Sequence, residues 1–193
     1  MCKVTIIIGW KSWLKMLAPE PSWKGPRVFL DFSISGQPIG RVIIELYSNE
    51  CPKACENFRQ MCTGEYRPRG IPIGYKDTQI HRVVPGFILQ GGDADKRDGT
   101  GCISIYGYTF EDENSGLSMN EAGVVAMANS GKDSNGCQFF ITLSPLKELD
   151  GNYVAFGKVI SGMYTLRQIE NVPLKPGTET PLMSVSVIEC GEL

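Results

Sequence analysis

The chain has 193 residues, 42% apolar and 21% charged, enough to bury one core and too few for two ordinary domains. Nineteen Lys and Arg against 21 Asp and Glu give a net charge of -2, which argues against a protein held to nucleic acid through its phosphates. No apolar run approaches the ~20 residues of a membrane span, and 22 Gly with 12 Pro favour turns and a β-rich fold.

Residues 1–27 read as an N-terminal extension. Ile6, Trp10, Trp13 and Leu17 recur at helical spacing, so a short helix there would carry one apolar stripe. All three Trp of the chain lie in this extension. Lys11 and Lys15 interrupt the run, and Lys3 followed by Val4–Trp10 makes a poor secretory signal. Pro19, Pro21 and Pro26 read as a stiff linker. Met16 allows a native start further downstream.

From Val28 the periods shorten. Val28–Phe32 and Gly40–Leu46 flank the turn cluster Ser35-Gly36-Gln37-Pro38 and predict a hairpin. Pro52–Cys62 predicts a helix that starts on Pro52, buries Ala54, Phe58 and Met61 on one face, and stops at Gly64. Strands are predicted at 79–84, 87–90, 123–128, 138–142, 154–159 and 185–190, with a second helix over 163–169. Eight short strands and two helices predict a mainly β fold: a closed eight-stranded antiparallel barrel capped by two α-helices. Two polar loops, 91–109 and 129–136, are where binding residues would collect.

Several chemistries fall away. His81 is the single histidine, which excludes any site built on two imidazoles. Seven cysteines, odd in number and without a C-x-x-C, read as reduced, mostly buried thiols of a cytoplasmic or nuclear protein. The run Asp93-Ala-Asp95-Lys-Arg97-Asp98-Gly99 resembles a calcium loop. It fails on Arg97 at the fifth position and Ser104 at the twelfth. Gly99-Thr100-Gly101 lacks the third glycine of a dinucleotide loop. Glu111-Asp112-Glu113 reads as a solvated acidic turn. Taken alone, Arg82 fits a surface ion pair better than a catalyst.

The segment HRVVPGFILQGGD at 81–93 changes the reading. It closely resembles the signature of the cyclophilins, the peptidyl-prolyl cis-trans isomerases. So do Gly99-Thr-Gly101, Ser104–Gly107, Phe110–Asn114, Met127–Asn129, Asn135–Thr142, Leu149–Gly151 and Phe156–Val159, in the same order over roughly 28–193. The insertion within Cys62–Lys76 is similar to that of the spliceosome-associated H branch.

The resemblance implies rotation about X-Pro bonds of proline-containing peptides, without metal or cofactor. It assigns the catalytic centre to Arg82, Phe87 and Gln90. The substrate-binding surface would comprise His81, Ile88, Gly99, Ala128, Asn129, Gln138, Phe140, Glu148, Leu149 and Tyr153. Phe139, one residue from Phe140 on a strand, would face the core instead. Three of these positions depart from the family's commonest pattern. Glu148 stands where Trp is usual, Tyr153 where His is frequent, and Ile88 where Met is usual. The first implies weakened cyclosporin binding and an altered peptide preference. The H-branch likeness leaves a second expectation: an adapter that docks proline-containing partners in a splicing complex, with turnover incidental.

Overall fold

The structure, a computed structural model, describes residues 25–193. The Trp stripe and the linker through Lys24 lie outside the described residues.

The first hairpin forms where the period-two pattern places it. Strands β1 (Arg27–Ile34) and β2 (Gln37–Leu46) pair antiparallel around a two-residue turn of Ser35 and Gly36, both at positive φ. Val28, Leu30 and Phe32 alternate into the interior and are fully buried. Six more strands follow: β3 (Ile80–Val84), β4 (Ile88–Gly91), β5 (Val124–Met127), β6 (Phe139–Thr142), β7 (Ala155–Ser161) and β8 (Val185–Glu192).

The strand order is β3-β4-β6-β5-β7-β2-β1-β8, antiparallel at every pairing. The two ends of this sheet meet at a single bridge between Gln79 and Ser186. The Val187 carbonyl accepts the Asp77 N–H and the Val187 N–H donates to the Thr78 carbonyl, so the barrel is nearly closed. Helices α1 (Pro52–Thr63) and α2 (Met163–Glu170) lie where the spacing predicts them. Helix α1 packs on β1, β7 and β8, and α2 on β2 and β3.

The interior is filled as a barrel of this size requires. Phe58 of α1 meets the rings of Tyr75, Phe139 and Phe156 at centroid distances of 5.0–5.1 Å. The buried Tyr75 hydroxyl donates to the Cys137 carbonyl at 2.7 Å. Asn57, also buried, satisfies both ends of its amide on the Gly136 carbonyl and the Ile105 N–H. The six described cysteines are all free thiols, four of them buried.

One expectation needs correcting. Residues 111–113 are not merely a solvated turn. Cys51, which precedes α1, supplies no side-chain cap to that helix. Glu113 caps it from elsewhere in the sequence, accepting the Lys53 and Ala54 N–H groups at 2.9 and 2.8 Å. Glu111 pairs with the Lys53 ammonium, and Asp112 accepts the Asn135 side-chain amide. A carboxylate on exposed helix N–H groups stabilises by about 1 kcal/mol. Glu113→Ala is therefore expected to lower the melting temperature by roughly 2–4 °C. An unchanged thermal melt would remove Glu113 as the cap.

Candidate active site

The pleat of β3, β4, β6 and β5 sorts side chains to two sides. Val83, Leu89, Phe139 and Ile141 face the barrel interior and are buried in its main cluster. Their neighbours in sequence face outward. Arg82 on β3 is in register with Gln90 on β4, Gln90 with Phe140 on β6, and Phe140 with Ala126 on β5. This row of four crosses the outer surface of the barrel.

A second, smaller apolar cluster sits on that outer surface. Ile88, Met119, Val124, Ala126, Phe140, Leu146 and Ala155 are buried in it. Phe87, Ala128, Leu149 and Tyr153 pack against it while staying partly exposed. The Tyr153 ring stands edge-on to Phe140 at 5.2 Å and 88°. The loop over this cluster is fixed by Asp150, which accepts the Met119 N–H at 2.8 Å and the Ser118 hydroxyl at 2.6 Å. An outward-facing apolar surface on a barrel whose interior is already filled is a place for a ligand's apolar group.

A chain of hydrogen bonds borders the apolar cluster. The Arg82 Nε–H donates to Glu179 Oε2 at 2.5 Å, and Nη1 donates to Gln90 Oε1 at 3.3 Å. The Gln90 amide donates to Gln138 Oε1 at 3.1 Å. Gln138 in turn donates to the Gly99 and Gly101 carbonyls at 3.0 and 2.9 Å. Nη2 of Arg82 makes no hydrogen bond among the described residues, and the side chain is 39% exposed. The guanidinium is therefore anchored through two nitrogens and open at the third.

The loop after β4 is organised by one buried carboxylate. Asp93, 1% exposed, accepts backbone N–H bonds from Asp95, Lys96, Asp98, Gly99 and Gly101 at 2.8–3.1 Å. Burial alone would raise this carboxyl. The N–H groups of Lys96, Gly101, Gly99 and Arg97 outweigh it and hold the pKa at about 2. Gly99, at φ +89°, passes so close to His81 that a Cβ would lie 2.9 Å from the ring. Burial lowers the His81 pKa below its ordinary value, against an opposing pull from Asp93, so the imidazole is neutral at pH 7. Its Nε2 is buried without a hydrogen-bond partner.

Two depressions adjoin this surface and share Asn129 and Ser130. One, of about 200 Å³, is lined by Gln90, Gly99–Cys102, Ala128 and Gln138. The other, of about 960 Å³, runs between residues 112–118 and 149–154. Asn129 spends its amide on its own surroundings, donating to the Asn152 carbonyl and accepting the Gly131 N–H. Glu148 lies exposed on the short 3-10 turn Lys147–Leu149, with no ion pair or hydrogen bond among the described residues. The arrangement thus holds a directed cation, a fixed amide chain and an apolar surface. It can bind an apolar group and hydrogen-bond to an atom beside it.

Comparison with known proteins decides the family. Residues 29–192 match the family described as cyclophilin type peptidyl-prolyl cis-trans isomerase/CLD. The chain belongs to this family. It is 49% identical to peptidyl-prolyl cis-trans isomerase CYP22 of Arabidopsis thaliana over 90% of this chain and 87% of the relative. It is 51% identical to peptidyl-prolyl cis-trans isomerase H of Mycosarcoma maydis over 81% of this chain and 99% of that one. A second isomerase H, from Rhizopus delemar, is 50% identical over 87% of this chain and 94% of its own length. As a cyclophilin, the chain is an isomerase of prolyl peptide bonds, and its substrates are proline-containing peptides.

The residues read from sequence gather here. Asn129 lines both depressions while its amide is spent on the Asn152 carbonyl and the Gly131 N–H, and Glu148 is exposed beside Leu149, which packs on the apolar cluster. Sequence reasoning missed Glu179, the partner of Arg82, and Asp93, the organiser of the Gly99 loop. No local signal could have found Glu179, which lies 97 positions from Arg82.

Proposed function

We propose that this cyclophilin eases X-Pro rotation by seating the proline ring on the surface of Phe87, Ile88, Phe140 and Leu149 and aiming Arg82 at the proline nitrogen. Amide resonance opposes rotation by ~18–20 kcal/mol, and unaided X-Pro exchange takes tens to hundreds of seconds. Reaching ~10³ per second requires lowering that barrier by about 7 kcal/mol. No bond breaks, so the site needs no nucleophile and no base. It must favour the twisted amide over both planar forms.

At the twisted state, conjugation is lost and the proline nitrogen gains a lone pair. A hydrogen-bond donor aimed at that nitrogen stabilises the twisted state and neither ground state. The open Nη2 of Arg82, charged and beside the apolar surface, is the group that supports this assignment. Gln90 accepts from Arg82 and holds it to the sheet; Gln138 passes that restraint to Gly99 and Gly101. His81 acts as packing beneath Gly99 and transfers no proton.

Glu148 brings a carboxylate where the family commonly supplies an indole, and so lacks both its apolar area and its N–H. Cyclosporin should accordingly bind worse than nanomolar, and peptides with a basic residue near the proline should be favoured. The test is one isomerase assay on a proline peptide, run with and without cyclosporin. Catalysed exchange that persists in nanomolar cyclosporin is the expected result. Absence of catalysis would remove the Arg82 assignment, and full inhibition at nanomolar drug would remove the role given to Glu148.

The adapter reading ranks behind this one, because a guanidinium restrained at two nitrogens and open at the third suits turnover better than passive docking. Its own support is the likeness to the H-named relatives and the insertion at 66–74, which places Pro68–Gly70 in a 3-10 turn and leaves Ile71 exposed. Co-purification with splicing proteins, lost on deleting 66–74, would carry it. The free thiols fit a reducing compartment, cytoplasm or nucleus.

A further inference from the structure

We infer that Glu179 is a positioning residue for Arg82, so that the segment joining α2 to β8 takes part in prolyl isomerisation. This rests on the reading of Arg82 given above. Residues 171–184 fold back on themselves. The Leu182 N–H donates to the Pro173 carbonyl, the Lys175 N–H to the Thr180 carbonyl, and Leu174 bridges Pro181. At the tip of this ordered turn, Glu179 meets β3 twice. Its backbone carbonyl accepts the Val83 N–H at 2.7 Å, and its carboxylate accepts the Arg82 Nε–H at 2.5 Å. The first bond places the residue beside β3; the second uses that placement on the side chain next door.

The pair is half exposed, 39% on Arg82 and 50% on Glu179, so it contributes little to stability. Its consequence is geometric. A free arginine side chain samples many rotamers, and fixing it takes two points of attachment. Gln90 supplies one at Nη1 and Glu179 the other at Nε, on opposite sides of the Nη2 that remains open. Remove Glu179 and the guanidinium pivots on a single 3.3 Å bond. The interaction lost is one made only with the twisted amide, so kcat should fall while KM holds.

The experiment compares Glu179→Ala and Glu179→Gln in the full chain, using an isomerase assay that separates kcat from KM, thermal melts, and NMR of the Arg82 Nε–H. Glu179→Ala should lower kcat about three- to tenfold with KM within about twofold of the parent. Glu179→Gln should recover more than half of kcat, since its amide oxygen still accepts from Nε. Both variants should melt with the parent, and the Arg82 Nε–H signal should be protected from exchange in the parent and lost in Glu179→Ala. Parental or raised kcat in Glu179→Ala, a Gln variant as impaired as the Ala one, or an unprotected Nε–H in the parent would each overturn the inference. A parent without isomerase activity would strike the Arg82 reading instead, and the NMR arm would still report on the pair.

Discussion

Arg82→Ala lowers kcat/KM by about a hundredfold and leaves the fold intact: that is the largest effect on activity expected anywhere in this chain. One donor aimed at charge that develops only along the reaction coordinate is worth ~3–4 kcal/mol, or two to three powers of ten. The loss should fall on kcat, because the planar substrate offers the guanidinium no lone pair on nitrogen. Stability should change little, since the side chain is partly exposed and its ion pair with Glu179 lies at the surface. Arg82→Lys should rescue poorly. An ammonium has one nitrogen and cannot hold Glu179 and Gln90 while also facing the substrate. Steady-state isomerase kinetics on the three proteins decide the matter, and parental kcat/KM in Arg82→Ala would end the mechanism argued above.

Asp93→Asn is expected to cost about 2–4 kcal/mol of stability, although the two side chains have nearly the same shape. Oδ1 accepts from Asp95 and Lys96, and Oδ2 from Asp98, Gly99 and Gly101. Whichever way an asparagine is turned, its NH₂ must face at least two N–H donors. The melting temperature should drop by roughly 5–15 °C in a chain of this length. Acid should act on the parent in the same way. The folded Asp93 carboxyl titrates at about 2, below its ordinary 3.8. Its contribution is therefore complete above about pH 4 and fades as the pH falls toward 2. Melts of both proteins from pH 2 to 7 test this: the parent should lose its advantage over Asp93→Asn across the acid end of that range. Coincident melting curves at pH 7 would show that the five N–H groups have other partners.

Periodicity carried the framework of the fold. Short apolar runs at Val28–Phe32 and 138–142 located strands; the resemblance set Phe140 in the pocket, and strand geometry then turned Phe139 to the core, as the two apolar clusters have them. The spacing of Ala54, Phe58 and Met61, with Pro52 before and Gly64 after, located α1. Such signals are local, and a strand or helix repeats them several times. Single long-range contacts leave no such trace. Glu113 caps a helix 60 positions away and looks in sequence like any acidic turn residue. Asp93 sits among acidic neighbours that mimic half of a calcium loop, while in the folded chain both its oxygens are turned onto N–H groups. Arg82, read alone as half of a surface ion pair, is one, and the same contact that makes it ordinary also directs it.

The sorting of side chains along β3, β4 and β6 has a practical corollary. Inside and outside are tended by separate residues only one position apart, so the surface that chooses peptides can be rewritten while the barrel is left alone. Exchanges at Ile88 or Phe140 should retune which prolines are accepted, whereas the same exchanges at Leu89 or Phe139 would threaten whether the chain folds at all. A library confined to alternate positions would explore taste without gambling on survival.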